Sequence, residues 1–350
     1  MALMGLDVGS TGCKAMVFTE DGKLLANAYR EYDNDSAYRI NAEIIWKSVC
    51  DVIKKCVSET HAKIKALSVS SFGESFVPVD INGNVLADTM LYTDNRGNVQ
   101  CKRYQEQFGA EKMMAIAGAK PQPMFSLFKI GYIRDEQPDI FAKAHKFLLM
   151  GSFIIHRLTG EFAVDYSLAA RTYAFDIINK KWSPELLGLA GMGEDKMAAA
   201  VPCGTIVSTI LPDVAQELGL PADLKIVTGG HDQVCAATGA GITQPGYAID
   251  GMGTVECITP VFDKPILTDV FLFNNYACVP YSIDGMYVTY AFNFTGGSIL
   301  KWYRDNLARA EAQAAKEKNI NVYKLLDESG AREPTGLTVL PLFAGSATPD

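Results

Sequence analysis

The chain has 350 residues, 48% of them hydrophobic, and carries 32 Lys and Arg against 40 Asp and Glu, a formal net charge of −8. This acidic balance argues against a general nucleic-acid or membrane-surface binder, because such a protein needs a basic face. The length predicts about two domains, which can form cores without disulfides or a structural metal.

The sequence has no feature of a secreted or membrane-bound protein. Residues 1–7 lack a basic n-region and a long apolar core, so no signal peptide is expected. The most apolar later run, residues 147–155, is shorter than the roughly 20 residues that span a bilayer. The eight cysteines form no C-x-x-C pair, which predicts reduced thiols and a cytoplasmic location. With four His and no Cys/His cluster, a zinc site is not expected.

The first elements read as strands around a tight loop. Strands are predicted at residues 3–8, 14–19 and 24–32, with a loop at 9–12 and a hairpin turn at Asp21-Gly22. A helix follows, because apolar residues recur on one face at Ile45, Val49, Val52, Ile53 and Cys56. A short buried strand at 66–70 comes next, and Asn82-Gly83 signals another hairpin turn.

The middle of the chain is predicted to be mostly helical over residues 97–200, with breaks at 120–123 and 183–184. A strand at 224–228 then leads into Gly229-Gly230, and a helix of small residues starts at His231.

The pattern restarts at residue 244. A strand at 247–250, a Gly-rich turn and a strand at 255–259 precede a hairpin around Asp284-Gly285, a long helix from Ser298 and a last strand at 337–342. The order of elements repeats that of the first 60 residues, which indicates an internally duplicated fold. We therefore expect domains at 1–243 and 244–350, whose Gly/Thr turns could face each other across a cleft.

The first chemical motif runs from Asp7 to Lys14. Glycines such as Gly9 let the backbone turn sharply and present N–H groups to an anion, and Ser10 and Thr11 add hydroxyl donors. Lys14 would add a positive charge, and Asp7 could hold Mg²⁺ through water. The alternative is an ordinary Gly-Ser-Thr hairpin turn.

The second motif is Gly229-Gly230-His231-Asp232-Gln233, between a strand and a helix, where ligands commonly sit in α/β sheets. The helix dipole favours the ionised form of Asp232, which suits a general base that accepts a proton from a hydroxyl. The alternative role for Asp232 is a helix N-cap. His231 stays unassigned.

Three further loops carry polar groups. Gly251 to Thr254 is the counterpart of the first loop and would form a second phosphate cradle. Gly73-Glu74-Ser75 and Thr93 to Gly97 place acidic and polar groups where they could bind sugar hydroxyls. On local composition alone, the last two loops are typical of solvated turns.

These motifs share an order with one known family: Asp7 to Lys14, Gly73 to Asp80, Asp94 to Arg96, Gly229 to Gln233 and Gly251 to Thr254, with similar stretches at 165–204, 294–302 and 340–345. In this order and spacing the chain resembles the FGGY carbohydrate kinases over its whole length. The resemblance implies an α/β protein with the duplicated actin-like, ribonuclease H-like ATPase fold, its two domains around a cleft.

The resemblance also implies an activity, the ATP-dependent phosphorylation of a hydroxyl on a ketose, sugar acid or polyol, with ATP and Mg²⁺ as cofactors. Asp232 would deprotonate that hydroxyl. The ATP phosphates would be handled by Asp7, Gly9, Ser10, Thr11, Lys14, Gly253 and Thr254, with Asp7 on the metal through water. The sugar would be bound by Gly73, Glu74, Ser75, Asp94, Arg96, Asp232 and Gln233.

Two features depart from the family pattern. Gly73-Glu74 stands where xylulose kinases have Met-His and glycerol kinases have Arg-Glu, and the missing side chain at Gly73 predicts room for a substrate larger than glycerol. Within the kinase interpretation, we favour a substrate of five or six carbons. No candidate for the family's adenine-binding region is found. We therefore expect the chain to stop inside the second domain, to bind ATP poorly and to be only partly stable over 244–350.

Two alternative functions stay open. One is another ATPase of the actin-like superfamily. The Gly-Gly-His-Asp-Gln motif argues against this alternative. The other is a non-catalytic sugar-binding protein or pseudokinase fragment, against which the presence of Asp7, Lys14, Asp232 and Thr254 argues. The sequence leaves the sugar, the phosphorylated hydroxyl and the oligomeric state open, a homodimer included.

Overall fold

The computed structural model of the chain describes residues 1–34, 36–252, 255–340, 342, 343, 345 and 348. Its strands are β1 (Ala2–Val8), β2 (Gly12–Thr19), β3 (Leu24–Glu31), β4 (Arg39–Ile40), β5 (Ile64–Ser71), β6 (Phe76–Val79), β7 (Thr89–Met90), β8 (Lys146–Leu149), β9 (Ala163–Asp165), β10 (Phe175–Asp176), β11 (Lys181–Trp182), β12 (Ala199–Val201), β13 (Ile206–Thr209), β14 (Lys225–His231), β15 (Ala248–Met252), β16 (Glu256–Phe262), β17 (Val279–Pro280), β18 (Tyr287–Val288) and β19 (Ala291–Asn293).

The helices are α1 (Ala42–Glu59), α2 (Asn98–Phe108), α3 (Ala110–Ala117), α4 (Ser126–Glu136), α5 (Pro138–Lys143), α6 (Met150–Thr159), α7 (Tyr166–Ala170), α8 (Pro184–Leu189), α9 (Pro212–Leu218), α10 (Asp232–Gly239), α11 (Asp269–Phe273), α12 (Gly297–Asn306), α13 (Arg309–Lys318) and α14 (Val322–Ser329), with a short 3₁₀ turn at Glu194–Lys196. Among the described residues, none of these helices has the length and apolar character needed to cross a bilayer.

The central sheet has six strands in the order β13-β14-β5-β1-β2-β3. Strands β1, β2 and β3 form the antiparallel meander that the sequence predicts, while β5 and β14 run parallel to β1. Alternate residues of β1, at positions 2, 4, 6 and 8, are buried on one face, as the period of a strand requires. The other face presents Asp7.

Helix α1 confirms the predicted apolar stripe. Asn41 caps its N-terminus by accepting a hydrogen bond from the Glu43 backbone N–H at 2.9 Å. The stripe from Ile45 to Cys56 is buried and packs on β2 and β3. Most of the stabilisation of such a helix comes from burial of this face rather than from intrinsic propensity.

The prediction of a mostly helical middle is incomplete. Residues 97–200 hold the seven helices α2 to α8, but this part of the chain also contributes the strands β8 to β12. Two of the pairs are distant in sequence: β8 joins β6, and β12 joins β9. Local periodicity misses these strands because each has only two to four residues, and β8 and β12 also depend on partners far along the chain.

The second half repeats the opening meander. Strands β15, β16 and β19 are antiparallel neighbours, as β1, β2 and β3 are, and the predicted hairpin around Asp284-Gly285 forms between β17 and β18. The predicted long helix is instead three helices, α12 to α14, and Asn319 at φ 50° ends α13 in the left-handed region. The strand predicted at 337–342 is absent from its described residues, whose apolar side chains are exposed.

One hydrophobic core joins most of the chain. It extends from the central sheet to residues of the second half, including Cys278, Tyr287 and Tyr290. Backbone and side-chain hydrogen bonds cross this seam: Cys278 N–H donates to the Gly118 carbonyl at 2.6 Å, and the Tyr287 hydroxyl donates to the Ile177 carbonyl at 3.2 Å. Helices α12 and α14, by contrast, bury none of their described residues.

Candidate active site

The parallel strands β1, β5 and β14 end at the same edge of the central sheet. Val8 and His231, the last residues of β1 and β14, both pair with Ser71 at the end of β5. The loops that leave this edge carry the predicted phosphate and sugar motifs, and α10 starts there with Asp232. The sheet therefore gathers residues that are up to 225 positions apart, at the place where α/β sheets commonly bind ligands.

Asp232 is the first residue of α10, and its Oδ1 accepts a hydrogen bond from the Gln233 backbone N–H at 2.6 Å. Burial raises its pKa to about 6, against the opposing effects of that hydrogen bond and of Arg171. Asp232 is therefore not the helix N-cap, because His231 occupies that position. Its carboxylate still accepts one backbone N–H of the first turn. The carboxylate is partly exposed and borders an open cavity.

This cavity, of about 520 Å³, brings four predicted residues together: Asp7, Lys14, Asp232 and Gln233. Asp7 and Lys14 are register partners on β1 and β2 and point away from the core. Partial burial and the negative charge of Asp232 raise the pKa of Asp7, while Lys14 and the nearby Ser70 hydroxyl lower it. The cavity wall thus holds two carboxylates and one ammonium group.

The predicted phosphate loop is a tight turn between β1 and β2. Gly9 N–H donates to the Gly12 carbonyl at 2.9 Å, and a Cβ at Gly12 would lie only 2.6 Å from the Arg30 carbonyl oxygen. Ser10 and Thr11, at the tip, line a second cavity of about 310 Å³ that Tyr92 and Thr93 border from the other side. The loop therefore adjoins the segment that carries Asp94.

The Gly73-Glu74-Ser75 loop is buried rather than solvated. Glu74 has φ 59°, in the left-handed region, and its carboxylate forms a buried ion pair with Arg171. Ser75 is buried as well, and its hydroxyl lacks a hydrogen-bond partner among the described residues. A fixed carboxylate beside an unpaired hydroxyl is not the chemistry of an ordinary surface turn.

The expectation that Gly73 leaves room for a larger substrate is wrong for this structure. A Cβ at Gly73 would lie 2.9 Å from Cγ of Arg171 and 3.0 Å from Cδ2 of His231. These two side chains fill the space that the glycine vacates.

Asp94 and Arg96 pair with each other. Asp94 Oδ1 accepts from the Arg96 backbone N–H at 3.0 Å, and Oδ2 accepts from Nη2 at 2.6 Å. Burial alone would raise the pKa of Asp94, but these hydrogen bonds and the charge of Arg96 hold it below its usual value. The Arg96 guanidinium also lies over the Tyr132 ring, 5.4 Å from its centroid. The pair keeps an ionised carboxylate partly out of water.

Sequence reasoning missed two buried cations next to these loops. Arg171 is sandwiched between Phe125 and Tyr290, its Cζ 5.0 and 5.4 Å from the ring centroids. Lys129 is fully buried, and its Nζ donates to the Met90 and Leu91 carbonyls. The available signal was a single cation inside an otherwise apolar run, such as Leu-Phe-Lys-Ile. Gly253 and Thr254, the predicted second cradle, lie outside the described residues.

Known proteins resemble this chain in sequence and in fold. The family model described as the N-terminal domain of the FGGY family of carbohydrate kinases matches residues 2–239. The gluconokinase of Bacillus subtilis (strain 168) is 28% identical over 99% of this chain and 68% of its own length. The autoinducer-2 kinase of Yersinia enterocolitica is 27% identical over 98% of this chain and 66% of its own length.

Solved structures share the fold. The xylulose kinase of Rhodospirillum rubrum superposes with a TM-score of 0.87 at 22% identity, over 99% of this chain and 70% of that one. The chain thus spans about two thirds of the length of the relatives it matches. It has the duplicated actin-like α/β fold of these sugar kinases, and it belongs to the FGGY family of carbohydrate kinases.

Proposed function

We propose that this chain takes part in the ATP-dependent phosphorylation of a hydroxyl on a ketose, sugar acid or polyol, with Asp232 as the general base. The observation that carries the proposal is the shared cavity of Asp7, Lys14 and Asp232 at the carboxyl edge of the sheet. A phosphoryl transfer needs a positioned acceptor hydroxyl and neutralised phosphate charge more than covalent chemistry. One cavity that combines a carboxylate base with an ammonium group suits both needs.

The pKa of Asp232 supports its role. At about 6, it leaves the carboxylate mostly ionised at pH 7, and a base works best when its pKa lies near the working pH. Because only the deprotonated form accepts a proton, kcat/KM should rise as the pH increases through about 6 and then level off. At lower pH the protonated carboxyl would no longer accept the hydroxyl proton.

The phosphates would lie along the Ser10–Thr11 turn and Lys14, and Gly253 and Thr254 would be further phosphate-binding residues. Asp7 fits Mg²⁺ held through water, since its carboxylate, beside the Ser70 hydroxyl, offers the oxygen ligands that Mg²⁺ prefers. When bound, the ion would neutralise charge on the phosphates. Gly73, Glu74, Ser75, Asp94, Arg96 and Gln233 would surround the sugar, on the side of residues 1–243.

The test is sugar-dependent ADP formation over a panel of pentuloses, hexuloses, sugar acids and polyols. Asp232→Asn should lower kcat by about 10² to 10⁴-fold, the usual contribution of a positioned base, while calorimetry should still detect sugar binding. Asp213→Asn is the matched control, because Asp213 is an exposed carboxylate in the first turn of α9. Undiminished turnover in Asp232→Asn would exclude the base assignment, and sugar binding without any turnover in the parent chain would favour a binding protein.

A further inference from the structure

A buried polar cluster connects Asp232 to the second half of the chain. It consists of His231, Tyr290 and Arg171, all buried. Tyr290 lies beyond residues 2–239, which match the N-terminal domain of the family. The side chain next to the proposed base is therefore held by a residue from outside that domain.

The two ring nitrogens of His231 face different partners. Nδ1 lies 3.0 Å from the Tyr290 hydroxyl oxygen, and Nε2 lies 3.4 Å from Oδ1 of Asp232. The imidazole is neutral, since burial lowers its pKa to about 4 against the opposing charge of Glu74. A neutral imidazole carries one N–H, so one nitrogen donates and the other accepts.

The chemistry of the partners selects between the two tautomers. An ionised carboxylate only accepts hydrogen bonds, whereas a tyrosine hydroxyl can donate. If Nδ1 carried the proton, the lone pair of Nε2 would face the negative charge of Asp232. If Nε2 carries it, Tyr290 donates to Nδ1, and the N–H dipole at Nε2, 3.4 Å from Oδ1, makes a favourable electrostatic contact with the carboxylate that is longer than an ordinary hydrogen bond.

The cluster is held firmly in place. The Arg171 guanidinium lies 5.4 Å from the Tyr290 ring centroid and is itself paired with Glu74. His231 also donates its backbone N–H to the Ser167 hydroxyl at 2.9 Å. The imidazole ring lies against Gly73, where a side chain would collide with it. The ring therefore has little freedom to flip.

We propose that Tyr290 fixes His231 as the Nε2–H tautomer and that His231, as a positioning residue, orients the carboxylate of Asp232. The orientation matters for catalysis only if Asp232 is the base, so this part rests on the proposed function. The charged groups that surround the imidazole are Glu74, Arg171 and Asp232. His231 takes no proton from the substrate in this arrangement.

The tautomer is tested directly by NMR on the intact chain labelled with ¹⁵N-histidine. The sequence has four His, and His231→Gln identifies the signals of His231. We expect the Nε2–H pattern in the parent chain and a mixture of tautomers in Tyr290→Phe. An Nδ1–H or doubly protonated ring at pH 7 in the parent chain would overturn the proposal.

The positioning role is tested by kinetics on the same variants. Tyr290→Phe should lower kcat with little change in the KM for sugar, by up to about 100-fold, which is what a misplacement of about 1 Å at a reacting group can cost. Tyr287→Phe is the matched control, because it removes another buried hydroxyl that crosses the same seam, to the Ile177 carbonyl. Its kcat should stay at the parent value.

A second pair of variants separates positioning from packing. Gln places an amide N–H near the position of Nε2, whereas the shorter Asn does not, so His231→Gln should retain more of kcat than His231→Asn. Equal losses in the two folded variants, or an unchanged kcat in Tyr290→Phe, would refute the positioning role. If Asp232→Asn keeps full turnover, the proposed base is wrong, while the NMR measurement still decides the tautomer.

Discussion

Helices α1 and α14 are both amphipathic and both start at an Asn cap, but they differ in what lies opposite their apolar faces. Helix α1 buries eight residues because β2 and β3 lie beneath it. Helix α14 buries none, and neither does α12, where Trp302 is 54% exposed. An amphipathic pattern predicts a helix, but only a packed partner makes that helix part of the cooperative fold.

The largest effect should come from truncating the core. Phe153 in α6 is fully buried, so Phe153→Ala should lower the free energy of unfolding by about 3–5 kcal/mol. Trp302→Ala in α12 should lower it by less than about 1 kcal/mol, as for most exposed positions. Urea unfolding followed by circular dichroism measures both. Equal losses would mean that the face of α12 is covered in solution.

The buried ion pair gives the next comparison. Arg171→Met leaves Glu74 as an unpaired buried charge and should lower the free energy of unfolding by about 3–5 kcal/mol. The double variant Glu74→Gln/Arg171→Met should recover much of this loss. Arg304→Met in α12 breaks an exposed pair with Asp305 and should leave the unfolding midpoint unchanged. A double variant as unstable as Arg171→Met would contradict this account.

Lys129 should make stability depend on pH in the alkaline range. Burial lowers its pKa to about 8 from 10.5, so between these values the unfolded chain binds more protons and stability rises with pH. Relative to Lys129→Met, the parent chain should gain up to about 3 kcal/mol from pH 8 to pH 10.5. Unfolding of both proteins at several pH values measures this difference. A constant difference would show that the ammonium group reaches water.

The smallest expected change in the free energy of unfolding comes from removing the two Asn caps. Asn41 and Asn321 each accept a hydrogen bond from the backbone N–H two residues on. Asn41→Ala should lower the free energy of unfolding by about 1 kcal/mol. Asn321→Ala should not change it, because α14 can unravel without the core; hydrogen exchange should instead accelerate within α14. A loss from Asn321→Ala as large as that from Asn41→Ala would place α14 in the cooperative unit.

The sequence predicts the elements whose pattern is local. The β1–β2–β3 meander, the stripe of α1 and the hairpin around Asp284-Gly285 follow from spacing and turn residues, and all are present. Elements that depend on distant pairing, such as β8 with β6, are too short to be recognised from the local sequence pattern. The predicted long helix also fails, because the chain leaves the helix at Leu307 and Ala308 and again at Asn319, which adopts a left-handed conformation, and apolar periodicity reveals neither break.

The residues of the candidate site also fall into those that the sequence predicts and those that only the fold reveals. Asp7, Lys14, Asp232 and Gln233 are predicted from motifs, and the sheet brings them onto one cavity. Arg171 and Lys129 are not predicted, since their significance lies in burial against Glu74 and Asp94, which is a property of the fold. Gly73 is misread for the same reason: whether a missing side chain leaves space depends on its neighbours, here Arg171 and His231.

The hairpin of β17 and β18 belongs to the second half by sequence but packs with the first half. Residues of this hairpin and its flanks, Cys278, Tyr287 and Tyr290, contact Gly118, Ile177 and His231, so the two domains expected from the sequence share an interface here. A recombinant fragment ending at Thr243 would leave an apolar surface bare and should aggregate. A fragment extended to Asn293 would keep that surface covered. We therefore expect it to stay soluble and to suit sugar-binding measurements better than the fragment that ends at Thr243.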